Sequence, residues 1–378
     1  MEFRDLGKQY SSMKMQIDQN IQKVLDNANF IMGSQVVELE NALAEYVGVK
    51  HCITCANGTD ALQLALMAWN IGDTDAVFVP DFTFFSSGEV VSAVGATPVF
   101  VDVDIDTCNI SIDSLQYMIE KVVAEGKLIP KVIVAVDLFG QPAEYGAIRK
   151  LADKYHMYIL EDGAQGFGGR IGEKKACSFG DISTTSFFPA KPLGCYGDGG
   201  AIFTNCDEWA EVMKSLRVHG KGESKYHNVR IGMNSRLDTI QAAVLLAKLP
   251  IFQHMELGEM DKLAKFYNES LYNYVKVPFV KVGYHSSWAQ YTIQVGNQSD
   301  RDGLQQFLKD NGIPTAVYYQ KPMHQQKAFE KYEYTDENYW KTIQLSKTVL
   351  SLPFHPYMDM NDAEKIVGKV IEYMEKWG

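Results

Sequence analysis

From His51 to Thr204, short apolar runs alternate with stretches of helical period, and few architectures accommodate that rhythm. The strand candidates are His51 to Cys55, Ala76 to Val79, Thr97 to Val101, Val132 to Val136, Met157 to Leu160, Thr184 to Phe187 and Gly200 to Thr204. Helix-period segments separate most of them: Asp60 to Trp69, Phe85 to Val94, Ile112 to Val123 and Ala143 to Tyr155. Such alternation predicts an α/β fold, a mostly parallel sheet covered by helices on both faces. Ahead of it, Ile17, Ile21, Val24 and Leu25 space as one apolar helical stripe, and Val36 to Val47 carries a second amphipathic run. A long helical stretch from Ser235 to about Phe266 then breaks the rhythm. The remainder mixes strands such as Ala289 to Val295 with helices such as Arg301 to Asn311 and Asn361 to Trp377. The expectation is a large domain over residues 1–250, including the N-terminal helical segment, and a smaller α/β domain over 251–378.

The net charge of −11 argues against a broad basic surface for nucleic acid, while leaving room for a local positive pocket around a phosphorylated small molecule. Met1 to Leu6 lacks the basic start and apolar core of a signal peptide, and no apolar run approaches the roughly eighteen residues that a membrane span needs. A cytoplasmic protein without a membrane partner is expected. Six cysteines in 378 residues do not make a disulfide scaffold. Cys52-Ile53-Thr54-Cys55 matches a C-x-x-C pattern, but on a strand residues three apart point to opposite faces. Packed thiols are expected there, and no metal.

Chemistry concentrates where strands end, since open α/β sheets gather ligands beyond their carboxyl edges. Lys191 sits in Ser186-Phe187-Phe188-Pro189-Ala190-Lys191-Pro192-Leu193-Gly194, an apolar setting that lowers an amine's pKa and makes it nucleophilic. Asp162 ends an apolar run. Alone it reads as a metal ligand, a general base, the partner of a protonated heterocycle or a simple cap. Its neighbour Glu161 falls on the opposite face, so the two make no ready chelate. Ala56-Asn57-Gly58-Thr59-Asp60 follows a strand and opens a helix, which suits a phosphate or an ordinary N-cap turn. Together these parts describe pyridoxal phosphate, which needs a Schiff-base lysine, an acid on the ring nitrogen, a phosphate cup and an apolar floor. Lys191 and Asp162 take the first two roles. Gly58, Thr59 and Ser186 form the cup, and Phe84 the floor, although Phe84 in isolation reads as a core residue.

With these motifs in this order, the chain resembles the DegT/DnrJ/EryC1/StrS sugar aminotransferases, a branch of the fold-type I pyridoxal-phosphate enzymes. The resemblance runs through Gly33 to Glu40, Ala56 to Leu62, Glu161-Asp162-Gly163-Ala164-Gln165, Ser186 to Lys191 and Asn234-Ser235-Arg236-Leu237-Asp238. Within the family the chain is similar to 3-aminotransferases of UDP-2-acetamido-2-deoxy-3-oxo-glucuronate, through Lys191 to Gly200 and Leu352-Pro353-Phe354-His355-Pro356-Tyr357. The resemblance implies Gln165 at the cofactor's phenolic oxygen and Asn234 reaching the phosphate from the neighbouring subunit, hence a homodimer. It also implies L-glutamate as donor, pyridoxamine phosphate as the intermediate cofactor form, and a nucleotide-linked keto-sugar as acceptor. The product would serve surface polysaccharide, such as lipopolysaccharide O-antigen.

Arg236 keeps the position that would pair with a hexuronate carboxylate, or else is structural. Tyr318, Tyr319 and His324 lie in a segment expected near the sugar. That segment departs from the His-Tyr-Pro-Ile-Pro-Leu pattern of the glucuronate enzymes, which leaves a C3 or C4 aminotransferase of a dTDP-, UDP- or GDP-linked deoxy-sugar as an alternative. Other rivals are a sugar dehydratase of the same fold, which carries histidine in place of the lysine, and a non-catalytic regulator. A nicotinamide enzyme is disfavoured because Gly166-Phe167-Gly168-Gly169 lacks the G-x-G-x-x-G spacing.

Overall fold

Seven strands form one sheet in the computed structural model, which describes residues 1–224, 226–332 and 334–378. They are β1 (His51–Cys55), β2 (Asp75–Pro80), β3 (Thr97–Val101), β4 (Ile129–Val136), β5 (Tyr158–Asp162), β6 (Ile182–Ser186) and β7 (Gly200–Thr204). Across the sheet they run in the order β1-β7-β6-β5-β4-β2-β3. Only β7 runs antiparallel to its neighbours; the other adjacent pairs are parallel. The expected mostly parallel, doubly covered sheet is therefore present. Its central strands are buried along most of their length, as near-continuous apolar runs require. Cys52 and Cys55 pack into different hydrophobic clusters on the two faces of β1, as the strand period demands. Burial raises both thiols, and among the described residues no cluster of His, Cys, Asp and Glu is arranged for a metal.

The N-terminal helix, Leu6–Asn27, packs Met13 and Ile17 against Val244 and Ala247 of helix Thr239–Ile251, and Val24 is buried as well. Leu25, expected on the same stripe, is 47% exposed. At about 100° per residue, Val24 falls nearly in line with Ile17 and Leu25 does not. The long helical stretch runs from Thr239 to Leu271 but contains a π-turn at Phe252–Glu256, starting two residues after Pro250. Proline supplies no N–H to the helical ladder, and a local change of pitch accommodates the loss.

A second core, built from residues such as Tyr267, Tyr291, Leu304, Leu352 and Ile366, surrounds an antiparallel pair, β8 (Tyr291–Gln294) and β9 (Val349–Leu352). We propose dividing the chain at 250/251. Leu245 and Leu249 pack with the large sheet and Met260 to Leu271 with the second core, while Phe252, just past the division, still packs against the large sheet. Among the described residues no helix is long and apolar enough to cross a membrane.

Candidate active site

The carboxyl edge of the sheet brings distant segments together. Cys55 of β1 and Ser186 of β6 both pair with Gly200 of β7, so the loops following β1 and β6 meet over that glycine. A Cβ at Gly200 would lie 2.5 Å from the Asn57 carbonyl oxygen, so only glycine lets the β1 loop cross. Asn57 then caps the helix Gly58–Ala68, its side chain accepting from the Asp60 amide at 2.8 Å. The Gly58 and Thr59 amides open the first turn, where a helix has no acceptors of its own. Ser186 lies against them, and the Thr59 hydroxyl meets that of Ser86 at 2.9 Å.

Asp162, at the end of β5, is buried. Ser87 Oγ donates to its Oδ2 at 2.7 Å, and the Ala164 amide donates to Oδ1 at 3.2 Å. Glu161 faces away, as the strand period requires. Its carboxylate accepts from the amides of Phe179 (2.7 Å) and Gly180 (3.1 Å) and from the Ser183 hydroxyl (2.7 Å), so it braces the segment between β5 and β6. Gly163 faces Cys177; a Cβ there would lie 2.6 Å from the sulfur.

Lys191 is half-buried as a residue, but its head group is enclosed. Burial lowers its pKa, the charge of Arg4 lowers it further, and Asp162 opposes both. Gln165 stands beside Asp162 with both amide atoms engaged: Oε1 accepts from the Phe139 amide at 2.7 Å and Nε2 donates to Tyr319 Oη at 3.2 Å. One N–H of Gln165 remains for a ligand. Phe84 is 54% exposed, contrary to the core reading of the lone residue, and its ring lies 6.3 Å from that of Tyr319. Tyr319 is thereby tied into the site, and burial raises its hydroxyl.

The remaining expected residues stand differently. Tyr318 is half-buried with its ring edge-on to Phe3, at 6.4 Å. Both ring nitrogens of His324 are taken, Nδ1 by Asp81 at 2.7 Å and Nε2 by Asp336 at 2.9 Å. The His324 amide also donates to Asp81 at 2.8 Å, and the ring stacks on Tyr339. Burial works against its protonation, but the two carboxylates outweigh it and raise its pKa. As a sugar ligand His324 has no free ring nitrogen. It holds the loop that leads from β2 through Asp81 to Phe84. Asn234 is exposed, while its neighbour Ser235 accepts from the Ala56 amide of the same chain at 3.1 Å. Arg236 is half-buried and has no ion pair among the described residues. Sequence reading missed Ser87, the direct partner of Asp162, and Arg4; a serine in Phe85-Ser86-Ser87 looks like any helix start.

These residues fit pyridoxal phosphate. A carboxylate, an enclosed amine and a turn of free amides line one edge, and Gly58 shapes the cup. A Cβ at Gly58 would meet Ser186 Cβ at 2.7 Å and Oγ at 3.2 Å. Gly58→Ala therefore forces the cup apart. Overpacking of about 1–3 kcal/mol corresponds to a cofactor Kd raised roughly 5- to 150-fold. Spectroscopic titration of cofactor-free protein measures it, and an unchanged Kd would place the phosphate elsewhere.

Comparison with known proteins gives a consistent picture. The model of the DegT/DnrJ/EryC1/StrS aminotransferase family matches residues 11–371. The UDP-2-acetamido-2-deoxy-3-oxo-D-glucuronate aminotransferase of Pseudomonas aeruginosa is 43% identical over 95% of this chain and 96% of its own length. A pleiotropic regulatory protein of Geobacillus stearothermophilus is 38% identical over 98% of this chain and 97% of its own. The crystal structure of a DegT DnrJ EryC1 StrS aminotransferase from Brucella abortus superposes with a TM-score of 0.96 at 48% identity, covering 100% of both chains.

Proposed function

Because this chain belongs to the DegT/DnrJ/EryC1/StrS aminotransferase family, and so is a pyridoxal-phosphate-dependent aminotransferase, we propose that it aminates C3 of a UDP-linked 2-acetamido-3-keto-hexuronate with L-glutamate as donor. One observation carries the substrate reading: Arg236 presents a half-buried guanidinium without an ion pair among the described residues, a position able to receive a sugar carboxylate. The similarity to the Pseudomonas aeruginosa enzyme supports the same sugar. The protein would act in the cytoplasm as a homodimer, with Asn234 contributing to the neighbouring subunit's phosphate site, and its product would enter lipopolysaccharide O-antigen. The exposure of Asn234 within its own chain supports that sharing.

Bound at this edge, pyridoxal phosphate supplies an electron-withdrawing ring that accepts the electron pair released from the amino donor's α-carbon. Asp162, fixed by Ser87 and the Ala164 amide, holds a proton at the ring nitrogen. The Gly58 and Thr59 amides and the Ser186 hydroxyl bind the phosphate. Gln165 orients the phenolic oxygen, and Phe84 with Tyr319 covers the ring. Lys191 would carry the covalent attachment and, once released by the amino donor, would be free to move the proton as a general base in both half-reactions. Its lowered pKa keeps a fraction of the amine neutral for both tasks.

The test is a panel of UDP-, GDP- and dTDP-linked amino-sugars run in reverse with 2-oxoglutarate. The UDP-linked 3-amino-hexuronate is expected to react best; a neutral 6-deoxy sugar outperforming it would overturn the reading. Arg236→Met is expected to lower kcat/KM for the hexuronate about 30- to 1000-fold, the loss typical of a buried charge pair, with little change on neutral sugars. Equal losses on both would assign Arg236 a structural role.

A further inference from the structure

We propose that Arg4 is a positioning residue: reaching in from the N-terminal tail, it fixes the turn that carries Lys191 and joins that turn to the Tyr318 segment. The proposal rests on the cofactor role given to Lys191 above. Residues 191–196 lie outside helices and strands; the Lys191 amide donates to the Phe188 carbonyl and the Cys195 amide to that of Phe187, each at 2.8 Å, and side chains hold the turn's outward carbonyls. Arg4 Nη2 donates to the carbonyl oxygen of Lys191 at 2.8 Å and to that of Pro192 at 3.3 Å. Lys248, buried in helix Thr239–Ile251, donates Nζ to the Gly194 carbonyl at 2.5 Å. Gln241 accepts from the Tyr196 amide at 2.8 Å and donates to its carbonyl at 3.1 Å. The carbonyls of residues 191, 192 and 194 thus each receive a charge-assisted hydrogen bond, a stronger hold than neutral donors give.

Behind these cations lies Glu256, whose Oε1 accepts from Gln9 Nε2 and from the Tyr357 hydroxyl, each at 2.7 Å. Burial lowers both Arg4 and Lys248, and the charge of Glu256 offsets that only in part; Lys248 comes down to about 8. The other terminal nitrogen of Arg4, Nη1, is buried without a partner, an unfavourable state that the carbonyl bonds at Nη2 offset. On the far side of the tail, the Phe3 carbonyl accepts from the Phe354 amide at 3.2 Å, and the Phe3 ring meets Tyr318. Two adjacent residues therefore tie the lysine turn to the segment expected against the sugar. The charged groups acting on the Lys191 amine are Asp162, which favours its protonated form, and Arg4, which disfavours it. Removing Arg4 both loosens the turn and takes away that bias.

The experiment compares wild-type protein with Arg4→Met and Arg4→Lys. In the cofactor-loaded proteins, the pH midpoint of the visible absorption band is titrated. Arg4→Met is expected to raise it by about half a unit to one unit, the effect of one nearby charge at intermediate dielectric. It should also lower kcat roughly 10- to 100-fold through mispositioning. Arg4→Lys keeps the charge but not the planar fork, so its midpoint should stay near wild type while kcat recovers only in part. In the cofactor-free proteins, hydrogen exchange at the Leu193 to Tyr196 amides should quicken about tenfold or more in Arg4→Met as the turn opens locally. An Arg4→Met protein that melts earlier but keeps the wild-type midpoint and exchange overturns the proposal and leaves Arg4 a plain anchor. A wild-type protein that never develops the band would sink the cofactor reading instead, and the exchange comparison still decides the role of Arg4.

Discussion

Lys191→Ala is expected to lower turnover by about 10⁴-fold or more, because one substitution removes both the covalent attachment point and the general base. No neighbouring group replaces it. Lys248 donates to the Gly194 carbonyl on the far side of the turn, and Arg4 stays protonated at any working pH. The variant should fold, since Lys191 makes no side-chain hydrogen bond or ion pair among the described residues, and burying a cation is unfavourable in itself. It should still take up pyridoxal phosphate through the Gly58 turn and Asp162, but without the absorption band of a lysine-linked cofactor. Steady-state assays and spectra of the two loaded proteins check this. A variant within tenfold of wild type would show that the amine used in turnover is another one.

Asp162→Asn is the second large effect. The substitution keeps the shape but removes the charge that, in the proposed role, would hold a proton on the ring nitrogen, so the electron sink should be weakened where it is needed. Loss of one preorganised electrostatic partner typically costs about 10²–10³ in kcat. An asparagine also has one carbonyl oxygen where the carboxylate has two acceptors. It cannot serve both the Ser87 hydroxyl and the Ala164 amide as Asp162 does. Cofactor affinity should change little, because the phosphate contacts are untouched. If kcat is preserved while affinity collapses, Asp162 is a binding residue only, and the assigned role in catalysis is wrong. The paired measurement also separates Asp162 from Glu161. Glu161→Gln should weaken the hydrogen bonds to Phe179, Gly180 and Ser183 and lower thermal stability, with a smaller effect on kcat.

The regulatory relative at 38% identity raises the question of an inactive scaffold. Lys191, Asp162 and Gln165 are all present here and stand along one sheet edge. The dehydratases of this fold carry histidine in place of the lysine, so Lys191 separates this chain from them as well. Bleaching of the cofactor band by L-glutamate is the direct check on the donor half-reaction.

Much of this was legible in the linear chain because strands and helices announce themselves by period. The limits of β1, β3 and β7 match the sequence expectation to the residue, since each is a short run with a polar or glycine residue at one flank at least. The opposite facing of Glu161 and Asp162 followed from the same two-residue period. Periodicity failed where it had to choose between neighbours, as with Val24 and Leu25, and where burial depends on a distant partner. Phe84 reads as core from its aromatic surroundings, yet the loop from Asp81 turns it outward. His324 reads as a ligand from its place near the sugar segment. Asp81, more than two hundred residues away, claims its ring.

By itself, the sequence determined the fold class and the chemistry, and it pointed to the two residues proposed to carry that chemistry. These depend on local pattern and on residue types that few reactions require together. Only the tertiary structure decided what surrounds them. Ser87 reaches Asp162, Tyr319 reaches Gln165, and Arg4 reaches the carbonyl of Lys191 across 187 positions of chain. Such pairings come from sheet order and from the docking of the N-terminal tail. A hydrogen bond depends on distance and angle in space, and separation along the chain carries no trace of either.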